Sequence, residues 1–130
     1  MLTSLQNPFS LVGRILMALL FVPSGFSKIG GFAGAVTYAA ANGVPLPELA
    51  IAMAIVVELG LGLLLLVGFQ TRWAALAIAF FTFVITFIFH PLSDPAQAQA
   101  FFKNIAVVGG LLTVVAWGAG AWSIDAKRGR

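Results

Sequence analysis

Cysteine is absent from these 130 residues, histidine occurs once, and Lys, Arg, Asp and Glu together make up only 8% of the chain. The first absence excludes a disulfide, a thiolate metal site and a thiol redox centre carried by the chain itself. One histidine without cysteine cannot build an ordinary zinc or haem site beyond a lone axial ligand, so no metal is expected. The scarcity of charge excludes a water-facing surface, because a soluble domain carries about 25% charged residues. No phosphate-binding loop or nucleophile triad is present; Gly30-Gly31 reads as a turn and Gly109-Gly110 as a close helix contact. What is present is apolar: 61% of the residues are hydrophobic and the mean hydropathy is +1.05.

A helix needs about 20 apolar residues to cross a hydrocarbon core about 30 Å thick. Four such runs can be cut from the chain, at about 9–26, 49–69, 73–89 and 101–122. The alternation of a membrane β-barrel is missing. The expected fold is therefore an all-α membrane protein, a bundle of four transmembrane helices in a single domain over 1–130. Only Gln70-Thr71-Arg72 joins the second and third runs, which makes them antiparallel neighbours. His90 to Pro95 forms the next loop, where proline stops the helix and Ser93 or Asp94 caps the following turn. Between the first two spans, Phe32, Ala35, Val36, Ala39 and Ala40 form a helical stripe. They predict a short interfacial helix that ends at Asn42-Gly43, since Pro45 and Pro47 prevent its continuation.

The net charge of +3 does not point to nucleic acid, because the basic residues flank apolar runs. They read as orientation signals. Arg72, Lys127, Arg128 and Arg130, with Arg14 nearby, outnumber Lys28 and Lys103 on the other side, so both termini are expected in the cytoplasm. Trp73, Trp117 and Trp122 fall at that same boundary, where amphipathic rings are favoured. Arg14, the run Ile15 to Phe26 and Ala33-Gly34-Ala35 imitate a signal peptide, but Lys28 and the gap before the small residues fit it poorly.

Glu58 lies halfway along the second span, where an ionised group is costly unless paired. Ala54, Glu58 and Gly62 share a helix face, and such small-residue faces pack, so Glu58 is expected to point into the bundle. It is either a proton acceptor or ligand contact, or a paired carboxyl that sets helix register. Arg14, offset by about 9 Å along the axis at 1.5 Å per residue, is its expected partner; alternatively Arg14 snorkels to the headgroups. At the opposite end gather Lys28, His90, Lys103 and Asn104, with Thr82, Thr86 and His90 forming a polar ladder at i, i+4, i+8. Lys103, Ala106, Gly110, Thr113 and Trp117 make a second stripe expected to pack. Two cations and an imidazole suit an anion or a quinone's carbonyl oxygens, with His90 passing a proton near neutral pH. The alternative is that the lysines snorkel and His90 caps a loop.

Taken together, these residues resemble the DoxX family of small bacterial and archaeal membrane proteins. The resemblance runs from Arg14-Ile15-Leu16 through Ser24-Gly25-Phe26-Ser27-Lys28-Ile29 and Gly43-Val44-Pro45. It continues with Glu58-Leu59-Gly60, Leu66-Val67-Gly68-Phe69, Thr71-Arg72, His90, Lys103-Asn104, Gly109-Gly110 and the closing Gly118 to Asp125. It implies a four-helix bundle in the bacterial inner membrane and an association with redox complexes, some relatives being described as subunits of thiosulfate:quinone oxidoreductases or thiol-stress assemblies. Without cysteine, this chain would need a partner for any sulfur chemistry.

Two functions follow as expectations. The first is a quinone-binding subunit of a membrane oxidoreductase, in which Glu58 or His90 exchanges protons while Arg14, Lys28, Lys103 and Asn104 hold the ligand amid an interior of twelve phenylalanines. Its partners would be the lipid bilayer and a membrane or cytoplasmic redox protein. The second is a non-catalytic scaffold whose basic tail meets anionic lipid or a cytoplasmic partner. A transporter is disfavoured unless the chain forms a homo-oligomer, since four short spans leave little room for alternating access.

Overall fold

A computed structural model describes residues 2–128, so Arg130 of the basic tail lies outside the described residues. A helical turn, Leu2–Leu5, leads into α1 (Gln6–Gly30), followed by α2 (Phe32–Ala41), α3 (Pro47–Val67), α4 (Thr71–Phe89), α5 (Ala98–Trp117) and the single-turn α6 (Ile124–Lys127). Of these, α1, α3, α4 and α5 are long and apolar enough to cross a membrane, and α2 is the short apolar helix expected between the first two.

Caps and breakers set most of these limits. Past Phe26, α1 continues to Gly30 because Ser27-Lys28-Ile29 contains no breaker, and Pro23 inside it is tolerated as prolines in membrane helices are. Gly43, at φ 79, ends the α2 region in the left-handed conformation the sequence called for. Pro47 opens α3 at a position where its missing donor costs nothing. Gly68 closes α3 at φ 75, and Gln70, at φ 49, turns the chain directly into α4.

A second limit departs further from expectation. The fourth span was expected to reach Trp122, but α5 stops at Trp117, where Gly118 takes φ 81 and Gly120 φ 82. These glycines fold the chain back across the end of the bundle as a strap that leads to α6. Apolar neighbours made the segment read as helix, whereas its backbone conformation is one that only glycine adopts readily.

The core joins Phe21 of α1, Leu65 of α3, Ala75, Ile78 and Ala79 of α4 and Leu111 of α5. In lipid the apolar surface itself drives little helix association, so contacts favour small residues that let backbones approach. Gly25 and Gly62 do this between α1 and α3: a Cβ on Gly25 would lie 2.6 Å from the Leu59 nitrogen, and one on Gly62 would lie 3.0 Å from Val22 Cγ2. Ala54, Glu58 and Gly62 are all buried on that inward face.

The same physics overturns the aromatic interior. Phe21 and Phe101 are buried, while Phe9, Phe26, Phe80, Phe83, Phe87 and Phe102 are exposed. A large ring gains little by leaving lipid for protein. Likewise the stripe of Lys103, Ala106, Thr113 and Trp117 faces outward instead of packing, with Gly110 half-buried.

Gly25→Val should lower the unfolding temperature in detergent by the equivalent of about 1–3 kcal/mol, the usual cost of overpacking. Gly13→Val, where a Cβ meets nothing within 4 Å, should shift it by less than about 0.5 kcal/mol.

Candidate functional site

Glu58 sits on a turn of π-helix, Val56–Leu61, inside α3. Single wide turns of this kind inside α-helices are found frequently at functional sites. Here the carboxylate is carried towards α1, and Lys28 Nζ lies 2.8 Å from Glu58 Oε1. Ser24, one turn before Lys28, donates its hydroxyl to the same oxygen at 2.9 Å and accepts from Lys28 Nζ at 2.9 Å. The three groups close a triangle. Glu58's side chain is 7% exposed and that of Lys28 is 25% exposed, so the pair is set well into the protein with the ammonium on its wetter side.

Beside this triangle lies a cavity of about 440 Å³. Its polar groups include Lys28, Glu58 and His90, while Ile51 and Ala54 of α3 and Val84, Ile85 and Ile88 of α4 give apolar walls, with Tyr38 of α2 on a further side. His90 directly follows α4, and its Nδ1 lies 2.6 Å from Gln97 Oε1. An amide oxygen only accepts, so Nδ1 is the donor in this hydrogen bond. Thr82 and Thr86, below His90 on the same face, are buried; the Thr86 hydroxyl donates to the Thr82 carbonyl at 2.6 Å.

The polar residues expected to act together divide differently from the way the sequence grouped them. Lys28 and His90 join Glu58 at one cavity. Lys103 lies exposed on α5 and Asn104 is half-buried, and neither lines that cavity. Arg14 is not the partner of Glu58. It stands at the other end of α1, about 21 Å from Lys28 at 1.5 Å per residue, and does not snorkel: it is 1% exposed. Its Nη1 donates to the carbonyls of Leu65 at 3.1 Å and Leu66 at 2.8 Å, and its Nη2 to the carbonyl of Trp122 in the strap. The last carbonyls of a helix have no intrahelical donor, so the end of α3 offers a ready cradle for a guanidinium. A Cβ on Gly68 would lie 2.8 Å from Nη1, so a larger residue there would crowd Arg14 out.

Asp125 completes this second centre. Its carboxylate accepts the backbone N–H groups of Gln70 at 2.7 Å and Thr71 at 2.8 Å and the Thr71 hydroxyl at 2.6 Å, capping the first turn of α4. The Asp125 N–H donates to the Gly68 carbonyl at 2.8 Å, and the Ser10 hydroxyl donates to the Ala119 carbonyl at 2.9 Å. Sequence reasoning missed Asp125 and Ser24 as functional groups. Two signals pointed to them: an acid within an otherwise basic end, and a hydroxyl at i−4 from an intramembrane lysine.

The DoxX family model matches residues 9–91, which take in Arg14, Lys28, Glu58 and His90. This chain belongs to the DoxX family. It is 41% identical to inner membrane protein YqjF of Escherichia coli (strain K12) over 122 residues, 93% of this chain and 92% of that protein. It is 35% identical to inner membrane protein YphA of the same strain over 123 residues, 90% of this chain and 88% of the relative. No solved structure matches it. In this DoxX-family chain the strap that holds Arg14 lies beyond the residues the family model matches.

Asp125→Asn keeps the shape but removes the charge that three donors share. It should cost about 1–3 kcal/mol, the range for weakening a charged acceptor, and should speed tryptic cleavage after Lys127 and Arg128. An unchanged melting curve and cleavage rate would show that the strap is not held by Asp125.

Proposed function

We propose that this protein is a quinone-binding subunit of a bacterial inner-membrane oxidoreductase, with the quinone headgroup placed beside Lys28, Glu58 and His90. The observation that carries the reading is the meeting of an intramembrane ion pair and an imidazole in one mostly apolar cavity of about 440 Å³. A quinone ring is flat and apolar with two carbonyl oxygens. Lys28 Nζ can donate to one of them, and His90 or Glu58, once it has taken up a proton from the aqueous side, can pass that proton on as charge develops on oxygen. Reduction of a quinone to a quinol takes two electrons and two protons. Two titratable groups at the cavity can pass the protons, and the electrons come from a bound ligand or a partner protein and not from a thiol, since this chain holds no cysteine. The names of the two relatives, both inner membrane proteins, support the inner membrane as its location.

Both termini are assigned to the cytoplasm, supported by the basic excess at the end that carries Arg72, Lys127 and Arg128. The chain is free of cysteine, so Thr3→Cys and Ala96→Cys each give a single label site. In intact spheroplasts an impermeant maleimide should label Ala96→Cys at once and Thr3→Cys only after lysis; the reverse order would invert the orientation.

A short-chain ubiquinone titrated into the purified protein should bind saturably, and Glu58→Gln should weaken binding at least tenfold, about 1.4 kcal/mol. Unchanged binding would remove Glu58 from the site. One observation favours a scaffold instead: Arg14 donates only to backbone carbonyls, so the second centre serves packing. On that reading Glu58→Gln lowers the melting temperature and the wild type shows no quinone titration.

A further inference from the structure

The cavity beside Lys28 and Glu58 has an uneven boundary. Several of its lining residues also face outward: Met53 of α3 is 55% exposed, and Val84 and Ile88 of α4 are 40% and 38% exposed. They lie on α3 and α4, within helices that are apolar enough to cross the bilayer, so what meets them from outside is lipid. At the loop end the boundary is different. The ring of Tyr38 on α2 stacks on Phe89 with centroids 5.3 Å apart and planes 13° from parallel, next to His90. Val44, after α2, lines the same side. The cavity is thus roofed at the loop end by α2 and the aromatic pair, and open sideways between α3 and α4. The lateral edge carries no charged group, whereas the charges sit at the inner, α1 side.

From this we infer that the ligand is an amphiphile with a long hydrocarbon chain, which enters from the bilayer between α3 and α4. Its head rests at Lys28, Glu58 and His90, and its chain leaves past Met53, Val84 and Ile88. For a quinone this means an isoprenoid tail is part of what the protein recognises, a reading that rests on the quinone assignment above. A tail that passes from lipid to protein leaves no water behind, so what it gains is close packing against Met53, Val84 and Ile88, many small contacts that add to the headgroup hydrogen bonds. The Tyr38–Phe89 pair keeps water and water-borne ligands from taking the shorter route.

The test compares a tail-less quinone, duroquinone, with decylubiquinone on the wild type, Val84→Trp, Met53→Trp and Glu58→Gln, with Phe80→Trp as a control on the lipid-facing side of α4, where Phe80 is 71% exposed and does not line the cavity. The wild type should bind decylubiquinone at least tenfold more tightly than duroquinone. Val84→Trp and Met53→Trp should each remove most of that advantage, weakening decylubiquinone at least fivefold more than duroquinone, Phe80→Trp should leave both ligands within twofold, and Glu58→Gln should weaken both. Unchanged decylubiquinone binding in both tryptophan variants overturns the portal, as does an equal loss of both quinones, and either result leaves the quinone reading standing if Glu58→Gln loses both. If the wild type binds neither quinone, the quinone reading fails and the portal is judged separately. A fatty acid with a mid-chain diazirine, photolysed in proteoliposomes, should then label the stretch around Met53 or Val84 and do so less in Val84→Trp; labelling absent there, or equal in the variant, overturns it.

Discussion

A charged group inside a bilayer has no water to turn to, so the chain itself must supply every hydrogen bond that water would have made. That demand organises this bundle at both ends. At one end, Glu58 is met by an ammonium and a hydroxyl that α1 presents one turn apart. At the other, Arg14 is met by carbonyls left over where α3 ends and by a strap folded back to reach it. The two solutions differ in kind. Carbonyl oxygens are fixed parts of the backbone, and three of them hold Nη1 and Nη2 while the buried Nε has no partner, which makes Arg14 a structural rivet. Side chains of Lys28 and Ser24 can move, and the cavity beside them gives a ligand access to the same pair.

Close approach of α1 and α3 is what makes the Lys28–Glu58 contact reachable. It rests on Gly25 and Gly62, whose missing side chains let the backbones meet, and on the π-turn that re-aims Glu58. Ala74, Ala75 and Ala79 keep the α4 face equally slim. Sheltered polar chemistry and small-residue packing are therefore one design: a bulkier interface would hold the ion pair apart and leave each charge unpaired, a cost of several kcal/mol.

The fold was legible because bilayer thickness and backbone hydrogen bonding leave few options for apolar runs of this length. Gln70-Thr71-Arg72 marked the antiparallel hairpin, and Asn42-Gly43 and Pro47 bounded α2 and α3. The strap was missed because hydropathy does not see backbone conformation, so Gly118 and Gly120 were absorbed into an apolar run. Glu58's inward direction followed from its face, but its partner did not. Axial offset made Arg14 a plausible mate, yet both Arg14 and Lys28 face α3, and the register of the two helices sets Ser24 and Lys28 against Glu58 while Arg14 falls at the end of α3, where backbone carbonyls take it. Lys103 failed for a different reason: it lies on a face of α5 that turns outward. Asp125 lay at the end of an apolar run in a basic tail, where nothing local showed that it would cap α4.

The central claim is that the carboxylate paired with Lys28 also meets the ligand headgroup. Infrared difference spectroscopy of the protein in lipid, with and without a bound quinone, reads that carboxylate directly. The account predicts a carboxyl or carboxylate band perturbed on binding, absent from Glu58→Gln and displaced in Lys28→Met. A quinone-induced spectrum with no carboxyl change, or one that Glu58→Gln leaves intact, would contradict it.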